Sequence, residues 1–372
     1  MATISLCMIV KNEERVLKRC LDSIHDLVDE IIIVDTGSTD STKEIAAKYT
    51  DKLYDFQWIN DFSAARNFSF SKCSMDYIYV ADADEYLDEE NRFQFKVLKD
   101  NLFPEIEIVQ MMYKTISNDT VLNIFKEYRP KLFKRMREFV WINPIHETVR
   151  IDPLVFDSDI VVTHEPESNH AKRDFSIFEL ELEKNGRLSD DLTKMYALEL
   201  YKNGTKEDFE KALSYFPVIT DFDEIRNYDG ELVFATRDYY RIFISLKWLR
   251  LSNNENFLTY ANSANEILKY SCAEIFYELG EYYIECGDYE NASKMFKNAT
   301  NEESVLDVHV SGDFALKKLI ICCQKVLNKY ESHKAEYGSD SEMEGIIESY
   351  KALLEKYKIE LLNWEMPVEE LK

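Results

Sequence analysis

The first eighty residues alternate short apolar runs with amphipathic stretches, and this alternation restricts the possible fold more than any other feature of the chain. The β-rich runs occupy residues 4–10, 31–34, 53–56 and 77–80, and the stretches with helical spacing occupy residues 13–27, 39–49 and 62–73. Strands that alternate with helices predict a mostly parallel sheet covered on both faces. Ligands of such sheets bind at the carboxyl ends of the strands, so the polar residues that follow these strands are the first candidates for a site.

The pattern changes after about residue 170, where strand signals nearly vanish and helical periodicity continues to the C-terminus. With Ala273 as the first position of a tetratricopeptide repeat, seven further residues match its large, small and aromatic positions: Phe276, Leu279, Gly280, Tyr283, Ala292, Phe296 and Ala299. Residues 196–216 resemble a degenerate second copy. The alternative explanation is that these are generic core positions of a helical bundle.

The length of 372 residues exceeds what one hydrophobic core usually organises. We therefore predict an α/β domain over residues 1–168 and an α-helical, TPR-like domain over residues 169–372.

The charge is distributed unevenly along the chain. Residues 1–150 hold 20 basic and 26 acidic side chains, whereas residues 151–372 hold 25 basic and 44 acidic ones. The net charge of −25 argues against nucleic acid as a partner, so any phosphate must be held locally.

Sequence features that report on location are few. No apolar run approaches the roughly 20 residues that a membrane-spanning helix needs, so no transmembrane segment is expected. The seven cysteines are scattered and include no CxxC pair, which is typical of a reducing compartment. We expect a cytoplasmic protein, and exposed helical repeats are compatible with a homodimer.

The most informative motif is Asp82-Ala83-Asp84, which directly follows the predicted strand Tyr77–Val80. Two carboxylates are thereby placed where the chain leaves a buried strand and turns. Their oxygens can hold a hard divalent cation that neutralises a bound diphosphate. An isolated motif of this kind is more often a solvated turn, and here the buried strand before it and the companion motifs favour a functional role.

Two other turns carry residues that suit a nucleotide. Asp35 ends a predicted strand and is followed by Gly37 and by Ser and Thr residues that can cap a helix. A helix start explains this turn, but its carboxylate can also accept a hydrogen bond from a base N–H or a ribose hydroxyl. Arg66 lies near the start of the helix predicted over residues 62–73, where a cation opposes the helix dipole. An anionic neighbour, either Asp82 or a diphosphate, is therefore expected.

Basic and histidine residues form the remaining candidate clusters. Residues 126–137 contain six basic side chains in twelve positions, which suits either a protected strand edge or local charge for a phosphate or an acidic peptide. The pairs His146-Glu147 and His164-Glu165 each follow a strand-like run, and they offer a metal ligand and a general base. The residue patterns by themselves predict a metal-dependent enzyme that acts on a nucleotide.

Taken together, these motifs resemble those of the family 2 glycosyltransferases, which are inverting, nucleotide-sugar-dependent enzymes of the GT-A fold. Residues 8–13, 34–40, 61–67 and 81–84 occur in the order that is typical of that family. Residues 129–133, the His146-Glu147 pair, His164 and the C-terminal helices are more narrowly similar to the S-glycosyltransferases of glycocin peptides, the sublancin type. The resemblance implies a Rossmann-like GT-A nucleotide-sugar-binding domain followed by TPR-like helices.

The resemblance also implies roles for single residues. Nucleotide-sugar binding is implied for Val10, Asn12, Asp35, Arg66, Asp82 and Ala83. Binding of a Mn²⁺ or Mg²⁺ ion is implied for Asp82 and Asp84, with His146 or His164 completing the ligand set. Glu147 is the predicted base that takes a proton from the acceptor.

The implied partners are a UDP-sugar donor and a peptide or protein acceptor that is modified on Cys or Ser. Transfer to a surface polysaccharide or a lipid-linked glycan is an alternative, because the same donor site would serve it. A non-catalytic helical-repeat scaffold is the alternative outside enzymes, and the intact Asp82-Ala83-Asp84 and His146-Glu147 motifs argue against it.

Overall fold

A computed structural model describes residues 2–115, 127–149, 153–166, 171–219, 222, 236–268, 272–338 and 340–365. Contacts along the chain separate a first unit that ends at residue 170 from a second unit that begins at Ala171. The boundary predicted between residues 168 and 169 falls among residues 167–170, outside the described residues.

The first unit is built on one large sheet. Its described strands are β1 (Ile4–Val10), β2 (Glu30–Asp35), β3 (Leu53–Asp55), β4 (Tyr77–Val80), β5 (Glu85–Tyr86), β6 (Ile108–Thr115), β7 (Glu127–Lys134), β8 (Trp141–Ile142), β9 (Thr148–Val149) and β10 (Val155–His164). Eight of them form a sheet in the order β3-β2-β1-β4-β7-β6-β10-β5, and β8 pairs with β9. The pairs among β1 to β4 are parallel, as is β6 with β10, whereas β7 is antiparallel to both neighbours.

Helices of the first unit follow the strands as the alternation predicted, but they are shorter. They are α1 (Leu17–Ile24), α2 (Thr42–Ala46), α3 (Phe62–Phe70) and α4 (Glu89–Asn101). The helix predicted from residue 13 begins only at Leu17, after a turn that follows Asn12, whose φ of 57° is left-handed. The N–H groups of Glu13 and Glu14 donate to side chains of Thr42 and Asp40 at 2.7 and 3.2 Å instead of entering a helix.

The core of this unit lies on both faces of β1. Leu6 and Met8 pack on one face with Leu17 and Leu21 of α1, and all four are fully buried. Cys7 points to the other face, where it joins a second apolar cluster. This burial on both faces explains why β1 is a nearly continuous apolar run rather than an alternating one.

From Ala171 onward the described residues form helices and no strand. The helices are α5 (Ala171–Asn185), α6 (Asp190–Asn203), α7 (Lys206–Ala212), α8 (Thr236–Leu251), α9 (Phe257–Ile267), α10 (Ala273–Glu285), α11 (Tyr289–Ala299), α12 (Val308–Ser311), α13 (Asp313–Tyr337) and α14 (Ser341–Glu365). Within the described ranges, no helix has both the length and the apolar character that crossing a bilayer would require. The predicted fold class, a mostly parallel sheet followed by a helical region, is confirmed.

The predicted tetratricopeptide hairpin corresponds to α10 and α11. Gly280 of α10 lies so close to the ring of Phe296 in α11 that a Cβ atom would stand 2.7 Å from the ring carbons. Ala292, Phe296 and Ala299 are fully buried. The small and aromatic positions of the pattern are therefore used to bring the two helices into close contact.

Candidate functional site

Asp35 lies at the end of β2, and its carboxylate organises the turn that follows. Its Oδ1 atom accepts hydrogen bonds from the backbone N–H groups of Gly37 and Ser38, both at 2.9 Å. The Oδ2 atom is buried and has no hydrogen-bond partner among the described residues. Buried carboxylate oxygens normally have a hydrogen-bond partner. This atom is therefore a candidate to accept a hydrogen bond from a ligand.

Three other residues predicted to border a nucleotide lie in the neighbouring turns. The carbonyl group of Val10 accepts from the backbone N–H of Thr36 at 2.9 Å, and Asn12 Oδ1 accepts from the backbone N–H of Thr39 at 2.8 Å. Ala83, between the two aspartates, is 5% exposed. Val10 and Asn12 thus connect the end of β1 to the turn of Asp35.

Arg66 is placed by the way α3 docks against β8. Asp61 caps α3 by accepting from the Ala64 N–H at 3.0 Å. Asn67 then donates to the Trp141 carbonyl at 2.9 Å and accepts from the Trp141 N–H at 2.8 Å. This pair of bonds fixes the rotation of α3 about its axis, and Arg66, the residue before Asn67, is directed towards the carboxyl end of β4.

The guanidinium of Arg66 joins two carboxylates from different parts of the chain. Its Nη2 donates to Asp82 Oδ1 at 3.0 Å, and its Nε donates to Glu147 Oε1 at 2.5 Å. The side chains of Arg66 and Glu147 are 11% and 13% exposed, whereas that of Asp82 is 43% exposed. The anionic neighbour expected for Arg66 is therefore Asp82, and Glu147 is a second one that the sequence did not predict.

The charges around Asp82 keep it ionised. Partial removal from solvent would raise the pKa of Asp82, but the positive charges of Arg66 and Lys131 outweigh this effect and lower the pKa to about 2. The carboxylates of Asp82 and Glu147 raise the pKa of Arg66, although burial opposes this rise. The permanent cation of Arg66 is thus already paired with two carboxylates, so a ligand that carries negative charge would need additional positive charge, such as that of a metal ion.

Asp84 and His164 form the second half of the site. Asp84 Oδ2 and His164 Nε2 are 3.1 Å apart, and the two side chains are 20% and 23% exposed. Two adjacent ligands of an octahedral ion, each roughly 2.1 Å from it, lie roughly 3 Å apart. In this structure the two atoms are within hydrogen-bonding distance of each other, and both side chains are of types that could serve as ligands of a Mn²⁺ or Mg²⁺ ion.

The predicted metal ligands are not all gathered in one place. Within the described ranges, no three His, Cys, Asp or Glu side chains stand close enough together to hold a metal ion. His146 is exposed and has a left-handed φ of 49°, in the loop between β8 and β9. The ligand set of Asp82, Asp84 and one histidine stays a prediction, in which His164 is the histidine that contacts Asp84.

The described basic residues of the segment 126–137 are engaged within the protein, and Lys126 lies outside the described residues. Arg129 pairs with Glu127, Lys131 with Glu85 and Arg137 with Glu107, while Lys134 and Arg135 donate to the carbonyl groups of Pro104 and Met75. The interpretation of this segment as a protected strand edge is wrong, because β7 lies between β4 and β6. These five cations therefore form ion pairs and hydrogen bonds that link the strands and loops of the first unit.

Sequence reasoning missed the buried pair of Glu85 and Lys131. Lys131 donates to both carboxylate oxygens of Glu85, at 2.5 and 2.7 Å. Burial raises the pKa of Glu85, and the charge of Lys131 opposes the rise. A glutamate directly after Asp84 and a lysine inside a strand-like run were the signals that could have indicated this pair.

Comparison with known proteins shows which family the first part of the chain is similar to. Residues 5–142 match the model of the family described as glycosyl transferase family 2. The resemblance predicted from the motifs is thereby confirmed, and the matched residues contain Asp35, Arg66, Asp82 and Asp84. Glu147, His164 and the helical unit lie beyond the matched residues.

Two curated relatives are similar to part of this chain, and in each the similar segment is little more than one third of the relative's length. A TPR repeat-containing protein of Synechococcus elongatus is 37% identical over 161 residues, which are 40% of this chain and 36% of the relative. The SPbeta prophage-derived glycosyltransferase SunS of Bacillus subtilis is 30% identical over 164 residues, which are 42% of this chain and 36% of the relative. The chain thus matches little more than one third of the length of either relative.

Among solved structures, glucosyl-3-phosphoglycerate synthase from Mycobacterium tuberculosis in complex with Mg²⁺ and UDP is 18% identical to the chain. The similarity covers 50% of this chain and 81% of that chain, with a TM-score of 0.36. A similarity at this level carries no argument about the site residues of this chain.

Proposed function

We propose that this chain, whose residues 5–142 match the family 2 glycosyltransferases, is an inverting transferase that moves a sugar from a UDP donor to a peptide or protein. The observation that carries the proposal is the position of Arg66, which bonds to both Asp82 and Glu147. One guanidinium thereby joins the predicted diphosphate side of the site to the predicted base.

On the donor side, the buried Oδ2 of Asp35, which has no partner among the described residues, accepts a hydrogen bond from the base or ribose of the nucleotide. Asp82, Asp84 and His164 would hold a Mn²⁺ or Mg²⁺ ion. When bound, that ion supplies positive charge to the diphosphate. Arg66 adds a permanent cation beside Asp82, so that the negative charge of the departing UDP is stabilised by groups fixed before the reaction.

On the acceptor side, Glu147 is the base. Its Oε1 is held by Arg66, which orients the carboxylate and leaves Oε2 for a substrate proton. The acceptor sulfur or oxygen attacks the anomeric carbon of the sugar, the bond from that carbon to the diphosphate breaks, and the acceptor proton moves to Glu147. The sugar is transferred with inversion because only one displacement occurs.

The activity is tested by incubating the full chain with UDP-sugars, with Mn²⁺ or with EDTA, and measuring released UDP. We expect turnover with the metal and none with EDTA, and Asp84→Asn should abolish the metal-dependent rate. Release of UDP that is unchanged in EDTA would contradict the metal requirement. Absence of release with every UDP-sugar tested would contradict the proposed transferase activity.

The role of Glu147 is tested by Glu147→Gln, which keeps the size and a hydrogen-bond acceptor for Arg66. We expect UDP binding close to that of the wild type and a transfer rate lowered about 100-fold or more, because a general base contributes on that order. Calorimetry with UDP measures the first quantity and transfer kinetics the second. Transfer at the wild-type rate would assign the base to another group.

The acceptor is tested by mass spectrometry after incubation with Cys- and Ser-containing peptides and, separately, with surface glycans or lipid-linked sugars. Similarity to a SunS-type glycosyltransferase and the helical repeats support the peptide, since grooves between such repeats commonly bind peptides. A sugar mass added to a peptide Cys or Ser is the expected result. Addition to glycans alone would support the alternative acceptor.

A further inference from the structure

Glu85 and Lys131 form a buried ion pair next to the Asp82-Ala83-Asp84 turn. The two residues are 1% and 4% exposed. Taking two charges out of water costs several kcal/mol per ion, and replacing such a pair by apolar side chains is often neutral or stabilising. Stability is therefore a weak reason for this pair, and its contacts with the turn offer a better one.

The first of these contacts closes the turn. The N–H of Asp82 donates to Glu85 Oε2 at 3.1 Å, and the N–H of Glu85 donates to the carbonyl of Asp82 at 3.1 Å. The two bonds link the ends of the four-residue turn through both main chain and side chain. They fix the peptide that carries Asp82, and so the direction in which its carboxylate leaves the turn.

A second set of contacts sets the position of Asp84. Glu85 lies in β5, opposite His164 of β10, and the N–H of Glu165 donates to the carbonyl of Asp84 at 3.0 Å. This short antiparallel pairing brings the side chains of Asp84 and His164 together. The side chain of Glu85 and the strand that it belongs to thus act on both halves of the predicted ligand set.

Lys131 connects this turn to the middle of the sheet. Its neighbour Leu132 in β7 pairs with Tyr79 of β4, so Lys131 is level with Val80, the last residue before the turn. Strand β7 lies between β4 and β6 and is held on both sides. The lysine therefore holds Glu85 from a rigid element, which is what a metal site requires of the groups behind its ligands.

We propose that Glu85 and Lys131 are positioning residues of the donor site, whose ion pair fixes the turn that carries Asp82 and Asp84 and the contact of Asp84 with His164, and thereby supports binding of the metal ion and the diphosphate. Because both residues are buried, the proposal gives neither of them a contact with the sugar or with the reacting atoms. The inference rests on the proposed function, because it assigns the two residues a role in binding the metal ion and the nucleotide.

The test measures binding of Mn²⁺ by electron paramagnetic resonance, with and without UDP, so that it does not depend on turnover. The variants are Glu85→Gln and the double replacement of Glu85 and Lys131 by Met. The double variant removes both charges and keeps unbranched side chains of similar length, which favours a folded protein. We expect Mn²⁺ affinity in the presence of UDP to fall about tenfold or more in both variants, as for other residues behind metal ligands.

Glu30→Gln is the matched control. Glu30 is also a buried glutamate bonded to a lysine, Lys52, but it lies at the opposite, amino end of the sheet. We expect this variant to have a lower melting temperature and unchanged Mn²⁺ affinity, whereas the double variant should melt near the wild-type temperature and bind Mn²⁺ weakly.

Three results would overturn the proposal in distinguishable ways. Wild-type Mn²⁺ affinity in the double variant would remove the positioning role and leave the proposed function intact. Equal weakening in Glu30→Gln would show that lost stability, and not lost positioning, is responsible. Absence of Mn²⁺ and UDP binding by the wild type would overturn the proposed function and the positioning role with it.

Discussion

Arg66 shows how much a single side chain contributes at the residue scale. It is largely buried, it bonds to Asp82 and Glu147, and its guanidinium carbon lies 5.4 Å from the centre of the Trp141 ring. A lysine carries the same charge but only as a point, without the planar fork that reaches two carboxylates at once. The geometry of the residue and not its charge alone therefore connects the two sides of the site.

Arg66→Lys should lower the transfer rate by about 100-fold or more while the protein stays folded, since a fixed donor to developing charge is lost. The measurement is kcat and KM for the UDP-sugar, with melting temperature as the control for folding. Lys72→Arg is the matched exchange, because Lys72 lies just beyond the end of α3, is partly exposed and packs over the ring of Phe68, and this exchange should change neither constant. A rate close to that of the wild type in Arg66→Lys would mean that charge alone suffices.

At the scale of elements, Glu30 ties three segments together at the amino end of the sheet. Its Oε2 accepts from the Ser5 hydroxyl and the Ser74 N–H, and its Oε1 accepts from Lys52 at 2.6 Å. Burial alone would raise the pKa of Glu30, but the bonds from Lys52, Ser5 and Ser74 outweigh it and lower the pKa to about 2. Strands β1 and β2 and the segment before β4 are thus joined through one ionised carboxylate.

The folded protein therefore gains stability from Glu30 above the pKa of an unfolded glutamate, about 4.3, and loses it as the pH falls towards 2. Glu30→Gln should lower the free energy of unfolding by about 1–3 kcal/mol at neutral pH. The difference from the wild type should shrink as the pH falls from about 5 to about 2. Melting curves across this range test the prediction, and a difference that grows on acidification would contradict it.

Helices α10 and α11 are brought together by the absence of a side chain at Gly280. Gly280→Ala would push a methyl group against the fully buried ring of Phe296, and overpacking of this kind costs about 1–3 kcal/mol. Gly345→Ala is the control, because no atom lies within 4 Å of the added Cβ and alanine favours a helix. Urea unfolding of the full chain should show a loss for the first variant and a small gain for the second. Equal stability of Gly280→Ala and the wild type would indicate that the hairpin adjusts freely.

At the scale of the whole molecule, the uneven distribution of charge bears on the proposed peptide acceptor. Residues 151–372 carry 44 acidic and 25 basic side chains, so the chain beyond the first 150 residues is strongly negative. A basic peptide would be attracted to it, and salt would screen that attraction. The charge thus favours a basic or neutral acceptor over an acidic one.

We therefore expect the KM for a lysine-containing acceptor peptide to rise severalfold when salt is increased from about 0.05 M to about 0.5 M. The control is the same peptide with Gln in place of Lys, whose KM should change less. Transfer kinetics at several salt concentrations provide the measurement. Equal salt dependence for the two peptides would remove the role assigned to the acidic helical region.

Much of the architecture follows from local sequence. The strands β1, β2 and β4 appear where apolar runs predicted them, because each is buried on both faces and needs an unbroken apolar segment. Strand β3 was also predicted, but it lies at the edge of the sheet and is only partly buried. The α10–α11 hairpin follows from small and aromatic residues at fixed spacing. The positions of Asp35, Asp82 and Asp84 were likewise predictable, since the carboxyl ends of parallel strands meet at one edge of the sheet.

The tertiary structure alone decided which of these residues act together. Arg66 and Glu147 are 81 residues apart, Asp84 and His164 are 80 apart, and Glu85 and Lys131 are 46 apart. Sequence spacing indicates a helix face or a strand end, but it does not specify which distant side chain will meet it. That choice depends on strand order, on the register of β5 with β10, and on the docking of α3 through Asn67, all of which are set by packing across the whole sheet.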